Sequence, residues 1–190
     1  MAVVKASAYG HGLEAVASAL EQEEIAFFGV ANVGEARRLS KAGVRTPIYL
    51  LGGTFPSERE EVIAHHWLPC LNTMEEARHF DQLARHGGTV VEAHLTVDTG
   101  MGRGGFLPSD APDALEAIRA LPGIRISGLG SHLPSADEDP VFTRTQFDQF
   151  DNLVESLPHR TEQKHIHLAK SAGLLGYQSR TTTMARPGLL

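Results

Sequence analysis

Short apolar runs alternate with amphipathic, helix-like stretches along nearly the whole of this 190-residue chain. A short continuous apolar run predicts a buried strand, and strands alternating with helices are typical of a parallel α/β sheet or barrel. The predicted strands are Ala2–Lys5, Phe27–Ala31, Ile48–Leu51, Leu68–Leu71, Val90–Val97, Ile126–His132, His165–Ala169 and Thr183–Arg186. Eight strands predict an α/β fold of the (β/α)8 TIM-barrel type, with an open doubly wound sheet as the second choice.

Several helix starts carry the side chains expected of an N-terminal cap. In each, a short polar side chain is followed three residues later by glutamate, which resembles a capping box. The predicted caps are Asn32 with Glu35, Ser57 with Glu60 and Thr73 with Glu76. The longest predicted helix is Pro140–Leu157, whose apolar residues recur near the helical period.

The composition is typical of a globular protein with enough apolar residues for the core of one domain, since 42% of residues are apolar and 21% are charged. The net charge of -6 argues against a nucleic-acid surface, which would be basic. No apolar run approaches the roughly 20 residues that a membrane span needs. We expect a cytoplasmic protein, because Met1 opens directly onto a core strand and the single Cys70 is best explained as a small buried residue.

Lys5 is the first residue that suggests chemistry. It ends a predicted buried strand and enters a small-residue loop that contains Tyr9. In a barrel the active site lies at the C-terminal ends of the strands. A partly desolvated lysine there can be neutral and nucleophilic, and can form an imine with a carbonyl cofactor. The alternative is a lysine whose amine simply reaches solvent from the end of a strand.

Three segments resemble motifs of a known family. Residues 2–12, AVVKASAYGHG, are similar to the pyridoxal phosphate attachment motif of bacterial alanine racemases. Val97–Arg103 and Met184–Leu189 resemble two further motifs of that family, in the expected order. The resemblance implies that residues 1–190 form the pyridoxal-phosphate-binding barrel domain of an isomerase that interconverts L- and D-alanine and supplies peptidoglycan synthesis. Members of the family are homodimers.

The resemblance assigns a role to each site residue. Lys5 would hold the cofactor and act as one of two bases. The phosphate would be bound by Tyr9, Ser171 and the backbone N–H groups of Gly188 and Leu189. This agrees with TIM barrels, which frequently bind phosphate at the loops after strands 7 and 8. From the residues alone, Gly188 would equally be a turn glycine after Pro187.

Arg186, His167 and His132 would surround the ring of the cofactor. By resemblance Arg186 faces the ring nitrogen, and because guanidinium is only a donor it leaves that nitrogen unprotonated. His167 would orient this arginine, and strand alternation predicts that it shares a face with Ser171. His132 would pack beside the ring. Without the resemblance, Arg186 would be a surface ion pair and His132 a structural histidine.

Arg103 would lie near the cofactor's phenolic oxygen and the substrate carboxylate, aimed by a tight turn at two glycines. The chain departs from the family pattern at three positions. Ser7 replaces an aspartate, Thr96 replaces a carbamylated lysine that buttresses the arginine, and Lys170 replaces an asparagine. Either an anion or another side chain would have to replace the charge of the carbamate.

The family also has a helix before the lysine strand and a C-terminal β-domain, and we expect both to be missing from this barrel. That β-domain supplies the second base, a tyrosine, across the dimer. None of Tyr9, Tyr49 and Tyr177 matches its position. We therefore expect the chain alone to bind the cofactor weakly, or to support at most slow one-sided exchange of the substrate α-proton. Serine or a broader substrate set would need only changes in the pocket.

Three other interpretations remain open from the sequence. One is a single-domain carrier of pyridoxal phosphate. Another is a metal-dependent barrel hydrolase, for which His165 and His167 with Asp98 and His132 would be the ligands. The third is a fragment without activity. The preferred interpretation includes no metal.

Overall fold

The computed structural model describes residues 1–158 and 162–188 and is built around one parallel sheet. Its strands are β1 (Ala2–Val3), β2 (Phe28–Val30), β3 (Ile48–Leu50), β4 (Leu68–Leu71), β5 (Val91–Thr96), β6 (Ile124–Gly130) and β7 (His165–His167). Neighbours in the sheet follow chain order from β1 to β7, and every pairing is parallel. A doubly wound sheet reverses its strand order, so the alternative fold was wrong and the barrel-type fold is confirmed.

Helices cover the outside of the sheet. They are α1 (Leu13–Glu21), α2 (Val33–Lys41), α3 (Arg59–Ala64), α4 (Met74–His86), α5 (Ala111–Arg119), α6 (Pro140–Ser156) and α7 (Ser171–Gly176). In α2, Val33, Ala36 and Leu39 are buried at helical spacing while the remaining face is solvated. Among the described residues, no helix is long and apolar enough to cross a membrane.

Two of the predicted helix caps are present. The Asn32 side chain accepts a hydrogen bond from the Glu35 N–H at 3.0 Å, and Thr73 accepts one from the Glu76 N–H at 3.1 Å. These bonds satisfy backbone donors that the first helical turn leaves unpaired. Each helix therefore starts where the sequence predicts.

The predicted cap at Ser57 was wrong. Residues Pro56–Glu58 form a 3₁₀ turn, and α3 begins only after it. Proline fixes the backbone of the first turn residue, and the Glu58 carboxylate accepts from the Phe55 N–H at 2.9 Å. Glu58 thus takes the part that had been given to Glu60.

The predicted eighth strand, Thr183–Arg186, is not a regular strand. The N–H groups of Thr183 and Met184 both donate to the carbonyl oxygen of Ile166. Two donors on one carbonyl interrupt the ladder, and Pro187 supplies no N–H to continue it. Only an isolated bridge between Lys170 and Arg186 is formed.

This segment nevertheless closes the barrel. On its other side, the Met1 ammonium donates to the Ala185 carbonyl at 3.1 Å, and the Val3 N–H donates to the Pro187 carbonyl at 2.9 Å. Residues 183–187 are therefore hydrogen-bonded to both β7 and β1. Closure brings the motif near the end of the chain beside the motif at its start.

A left-handed turn follows β1 and replaces the predicted end of that strand. Ala6, Ser7, Ala8 and Tyr9 all have φ between 52° and 56°. L-residues pay about 1–2 kcal/mol each in this conformation, so four in succession are unusual. The turn is held by backbone bonds such as Gly12 N–H to Ser7 O at 2.8 Å, and by the Glu35 carboxylate, which accepts from the Ala6 N–H.

Candidate active site

Six of the predicted site residues surround one cavity of about 340 Å³ at the C-terminal ends of the strands. They are Lys5, Tyr9, His132, Ser171, Arg186 and Gly188. Arg103 lines an adjoining cavity of about 370 Å³, which shares Leu51 and His132 with the first. His167 lies beneath Arg186 rather than in the cavity wall. Leu189 lies outside the described residues.

Lys5 stands where β1 gives way to the left-handed turn. Its side chain is half-buried and faces the cavity. Among residues 1–158 and 162–188, no hydrogen-bond or ion-pair partner holds its amine. The opposite signs of φ before and after Lys5 redirect the chain, so that Lys5 and Tyr9 line the same cavity.

Tyr9, Ser171 and Gly188 form one end of the cavity. The Gly188 N–H donates to the Ser171 hydroxyl at 3.0 Å. A Cβ atom on residue 188 would lie 2.5 Å from the Tyr9 hydroxyl oxygen, so only glycine allows the tyrosine to reach this position. Burial raises the pKa of Tyr9, which keeps its hydroxyl protonated as a donor.

Arg186 is 5% exposed and therefore not a surface residue. Its guanidinium donates to the carbonyl oxygens of Ser131 at 2.5 Å, His167 at 3.1 Å and Leu168 at 3.1 Å. Burial, and then the charge of Arg103, lowers the pKa of Arg186 to about 10. The group stays protonated at neutral pH, and backbone dipoles rather than a carboxylate stabilise its charge.

The ring of His167 continues this arrangement into the barrel. Arg186 donates to its Nδ1, and its Nε2 lies 2.9 Å from Nδ1 of His94. Because guanidinium can only donate, His167 carries its proton on Nε2 and donates to His94. His94 then carries its own proton on Nε2, which is buried without a partner in the described structure. Both imidazoles are fixed in one tautomer.

Strand alternation was the wrong reason for placing His167. β7 ends at His167, and Ser171 begins α7, so the two residues share no strand. His167 points into the barrel interior, whereas Ser171 lines the cavity. The contact with Arg186, expected from the resemblance, is present for a different geometric reason.

The pKa of His132 reflects the positive charge around the cavity. Burial and, after it, the charges of nearby cations lower its pKa to about 3. Those cations, in order of effect, are Arg186, Arg103, Lys170 and Lys5. Asp137, which pairs with Lys170 at 3.2 Å, is the one carboxylate among the described residues that line the cavity. A cavity with this excess of positive charge favours anions.

Arg103 is held by the turn before it. The Asp98 carboxylate accepts from the N–H groups of Gly100 at 2.9 Å and Gly102 at 3.1 Å, as an Asx turn does. The Arg103 side chain is exposed, and no carboxylate of the described residues pairs with it. Arg103 is therefore available to an anion in the adjoining cavity.

Residues 1–190 match the family model described as alanine racemase, N-terminal domain. The chain belongs to the alanine racemase family. It is 38% identical to an alanine racemase from a Synechocystis species, with all of this chain and 52% of that protein aligned. The chain spans about half the length of the curated relatives it matches.

Solved structures agree with this membership of the alanine racemase family. Alanine racemase from Clostridium difficile superposes with a TM-score of 0.93 at 28% identity, over 99% of this chain and 50% of that one. A histidine racemase from Leuconostoc mesenteroides superposes with a TM-score of 0.89, also at 28% identity, over 100% of this chain and 51% of that one. The same fold is therefore found in proteins named for two different amino acids.

At position 96 the neutral Thr96 stands where the alanine racemase pattern has a charged carbamate. The neighbouring Cys70 thiol accepts a hydrogen bond from the Asn72 side-chain amide at 3.6 Å. Burial raises the pKa of Cys70 to about 11, so this thiol is neutral, as the prediction of a buried cysteine requires. No described side chain takes the place of the carbamate.

The departure at Lys170 leaves its side chain partly exposed to solvent. Its amine contacts the Asp137 carboxylate at 3.2 Å and the Pro134 carbonyl at 3.4 Å at the edge of the cavity. The ion pair is half-exposed and contributes little to stability by itself. Lys170 still adds positive charge next to Ser171.

The interpretation as a metal-dependent hydrolase was wrong. No group of three or more His, Cys, Asp or Glu side chains in the described part of the chain could hold a metal ion. The nitrogens of His167 are occupied by Arg186 and His94, and Asp98 is occupied by its own turn. The ring of His165 instead packs edge-on against Phe27.

Sequence reasoning missed two residues that hold the site. Ser131 accepts from Arg186 through its backbone carbonyl, which no sequence pattern reveals. His94 could have been noticed, because a histidine between the apolar residues Ala93 and Leu95 of β5 must find a partner when it is buried. Its partner depends on how β5 and β7 face each other inside the barrel.

Proposed function

We propose that residues 1–190 form the pyridoxal-phosphate-binding barrel domain of an amino-acid racemase, with alanine as the substrate. One observation carries this proposal. The motifs at the two ends of the chain meet at one positively charged cavity, the third motif lines the cavity beside it, and the Lys5 amine enters the first cavity with no partner among the described residues. A rim lysine that served only solubility would not face such a cavity.

The donors in the cavity fit the cofactor. Lys5 would hold its carbonyl carbon, and Tyr9 and Ser171 with the Gly188 backbone would hold its phosphate. The close approach of Gly188 to the Tyr9 hydroxyl gives this end a shape that any side chain at residue 188 would fill. When bound, the cofactor delocalises the electron pair left on the α-carbon after proton removal.

Arg186 and His132 would set the electronic surroundings of the ring. Because Arg186 stays protonated and His167 accepts from it, Arg186 can only donate to a ring nitrogen and cannot supply an acceptor. That nitrogen then remains without a proton, which limits charge delocalisation and favours return of the proton to the α-carbon. His132 accepts from Arg186 at 3.3 Å through Nδ1 and is held neutral.

Lys5 would remove and return the α-proton on one face of the substrate, while Arg103 would bind its carboxylate. No tyrosine of this chain supplies a base on the other face. Tyr49 is buried against the rings of His94 and His167, and Tyr177 stacks on Phe147. Tyr9 lies at the phosphate end. The chain by itself is therefore proposed to exchange protons on one face rather than racemise.

A protein with the complete racemase activity would act in the cytoplasm and would supply D-alanine for peptidoglycan. The alanine assignment comes from the names of the relatives, whereas the similarity to a protein named as a histidine racemase is a reason to test other amino acids as substrates. A carrier of pyridoxal phosphate would hold the cofactor through the same residues. It would not exchange an α-proton, and this separates the two functions.

Attachment of the cofactor to Lys5 can be measured directly. The chain is incubated with pyridoxal phosphate, reduced with borohydride and digested, and the mass tag is located among its lysines. We expect the tag on Lys5, with tagging lost in Lys5→Ala and retained in the control Lys41→Ala. A tag of equal yield on Lys41, Lys164 or Lys170 would contradict the proposal.

A further inference from the structure

Gln146 is a polar side chain in the interior that the chemistry above does not use. It lies on α6 and is 0% exposed. Its Nε2 donates to the hydroxyl of Thr99 and to the carbonyl of His132, each at 3.3 Å. Thr99 belongs to the turn that carries Arg103, and His132 belongs to the wall of the cavity at Lys5. One amide group therefore touches both halves of the site.

The direction of these hydrogen bonds is fixed by chemistry. The His132 carbonyl can only accept, so the nitrogen of the Gln146 amide must face it. The Thr99 hydroxyl then accepts from Gln146 and is also hydrogen-bonded with the Ser131 hydroxyl at 2.7 Å. The backbone carbonyl of Ser131 in turn accepts from Arg186. A continuous chain of bonds thus runs from the Arg103 turn to Arg186.

The carboxamide oxygen of Gln146 is buried with no partner in the described structure. An unsatisfied buried acceptor lowers stability, and an apolar side chain of similar size would avoid the loss. Burial alone therefore does not account for glutamine at this position. The two bonds made by its Nε2 are what distinguish it from methionine or leucine.

Helix α6 also packs directly on the Arg103 turn. Gly100 has φ +133°, and a Cβ atom there would lie 2.5 Å from Cζ of Phe142 and 3.4 Å from Nε2 of Gln146. Only glycine permits this approach, and the turn is pressed against the helix at the point where Gln146 binds it. The packing contact at Gly100 and the hydrogen bond to Thr99 therefore act on neighbouring residues of the same turn.

We propose that Gln146 is a positioning residue that fixes the Arg103 turn relative to His132 and Arg186. It sets the separation between the group that binds the substrate carboxylate and the groups that surround the cofactor ring. The catalytic part of this role of Gln146 rests on the proposed function. Its structural part, the coupling of the turn to the cavity wall, stands without any cofactor.

The test compares Gln146→Met with Thr143→Val. Methionine keeps the length of the side chain and removes both donors. Thr143 lies one turn earlier on α6, is equally buried, and donates to the Ser135 carbonyl at 3.3 Å, away from the site. Gln146→Met removes two hydrogen bonds of a buried side chain of α6 and Thr143→Val removes one, so the second variant controls for general loosening of α6.

Hydrogen exchange of the cofactor-free chain gives the first readout. We expect the amides of Gly100 and Gly102 to exchange about tenfold faster in Gln146→Met and at the original rate in Thr143→Val. Equal rates in the two variants, or no acceleration at these glycines, would overturn the coupling. If Gln146→Met does not fold, Thr99→Val breaks the same chain from its other end and must give the same acceleration.

A kinetic readout separates positioning from stability. In the chain loaded with pyridoxal phosphate, α-proton exchange of alanine in Gln146→Met should need about tenfold more alanine for half-maximal rate, with the maximal rate changed less. A fall in maximal rate with unchanged alanine dependence would contradict positioning of Arg103. If no exchange occurs in the unmodified chain, the proposed function fails, whereas the hydrogen-exchange result still decides the structural coupling.

Discussion

Three histidines near Arg186 are held in their neutral form. Burial is the largest cause for each, and the nearby guanidinium adds to it, so the pKa values of His94 and His132 fall to about 3 and that of His167 falls well below its usual range. Neutral rings suit this site, because each accepts a hydrogen bond on Nδ1 from a neighbouring donor. A proton on any of these nitrogens would break that bond.

The lowered pKa values predict acid sensitivity. Below pH 6.5 the unfolded chain takes up protons on these histidines while the folded chain does not, so the free energy of unfolding falls as pH decreases. Each histidine contributes up to about 1.4 kcal/mol per pH unit in the window from pH 6.5 towards 3. Urea unfolding between pH 6.5 and 5.5, above the range where most carboxylates titrate, measures the slope.

His94→Leu should reduce that slope by about one histidine's share, whatever it does to stability at neutral pH. The matched control is His86→Gln, because the His86 side chain is exposed to solvent in the folded chain as well as in the unfolded chain. Identical slopes for the unmodified chain and His94→Leu would show that the buried ring is not held neutral by the fold.

Part of the site could be predicted from single residues and part could not. Lys5, His132 and Ser171 meet because each follows a parallel strand, and the C-terminal ends of such strands share one rim. The anchoring of Arg186 by backbone carbonyls could not be predicted, since it depends on how the closing segment lies against β6 and β7. The same holds for His94, whose partner is set by the curvature of the barrel.

At the scale of elements, the left-handed turn after β1 is the most strained segment among the described residues. Four non-glycine residues hold positive φ between Lys5 and Gly10. The sequence predicted a strand reaching Lys5, because apolar propensity says nothing about the hand of the turn that follows. Backbone strain of this kind is found at functional sites, and this turn brings Lys5 and Tyr9 to one cavity.

Substitution of Ala6, whose side chain is exposed, tests this strain. Ala6→Gly should raise the free energy of unfolding by about 0.5 kcal/mol, since relief of the left-handed penalty exceeds the added freedom of the unfolded chain. Ala6→Val should lower it by about 1 kcal/mol or more, because a β-branched residue fits this conformation poorly. Urea denaturation measures both changes.

The control for this pair is Ala19→Gly. Ala19 is exposed on the right-handed helix α1, where glycine lowers stability by about 1 kcal/mol. The two glycine substitutions are therefore expected to act in opposite directions. A loss of stability in Ala6→Gly as large as in Ala19→Gly would mean that the turn is not strained.

At the scale of the whole molecule, sequential parallel pairing and closure by residues 183–187 explain how distant motifs form one site. The seven strands of the sheet could be predicted from apolar runs, because each buried strand needs such a run. The irregular closing segment could not, since its backbone pattern follows from contacts with both β7 and β1. A prediction from local sequence sees neither partner.

Under the proposed function, the chain would present a base on one face of the substrate only. Lys5 reaches the cavity, and the remaining tyrosines are packed elsewhere or lie at the phosphate end. A single base exchanges the α-proton of the enantiomer that turns its proton toward it, and returns the proton to the same face. Inversion needs a donor on the opposite face.

The most direct measurement incubates the chain and pyridoxal phosphate in D₂O with L-alanine and D-alanine separately, and follows deuterium at the α-carbon by NMR. We expect one enantiomer to gain deuterium slowly without inversion, the other to gain almost none, and Lys5→Ala to abolish exchange. Conversion of either enantiomer into its mirror image as fast as deuterium enters would contradict the one-base arrangement. Lack of exchange by a chain tagged at Lys5 would contradict proton transfer by that residue.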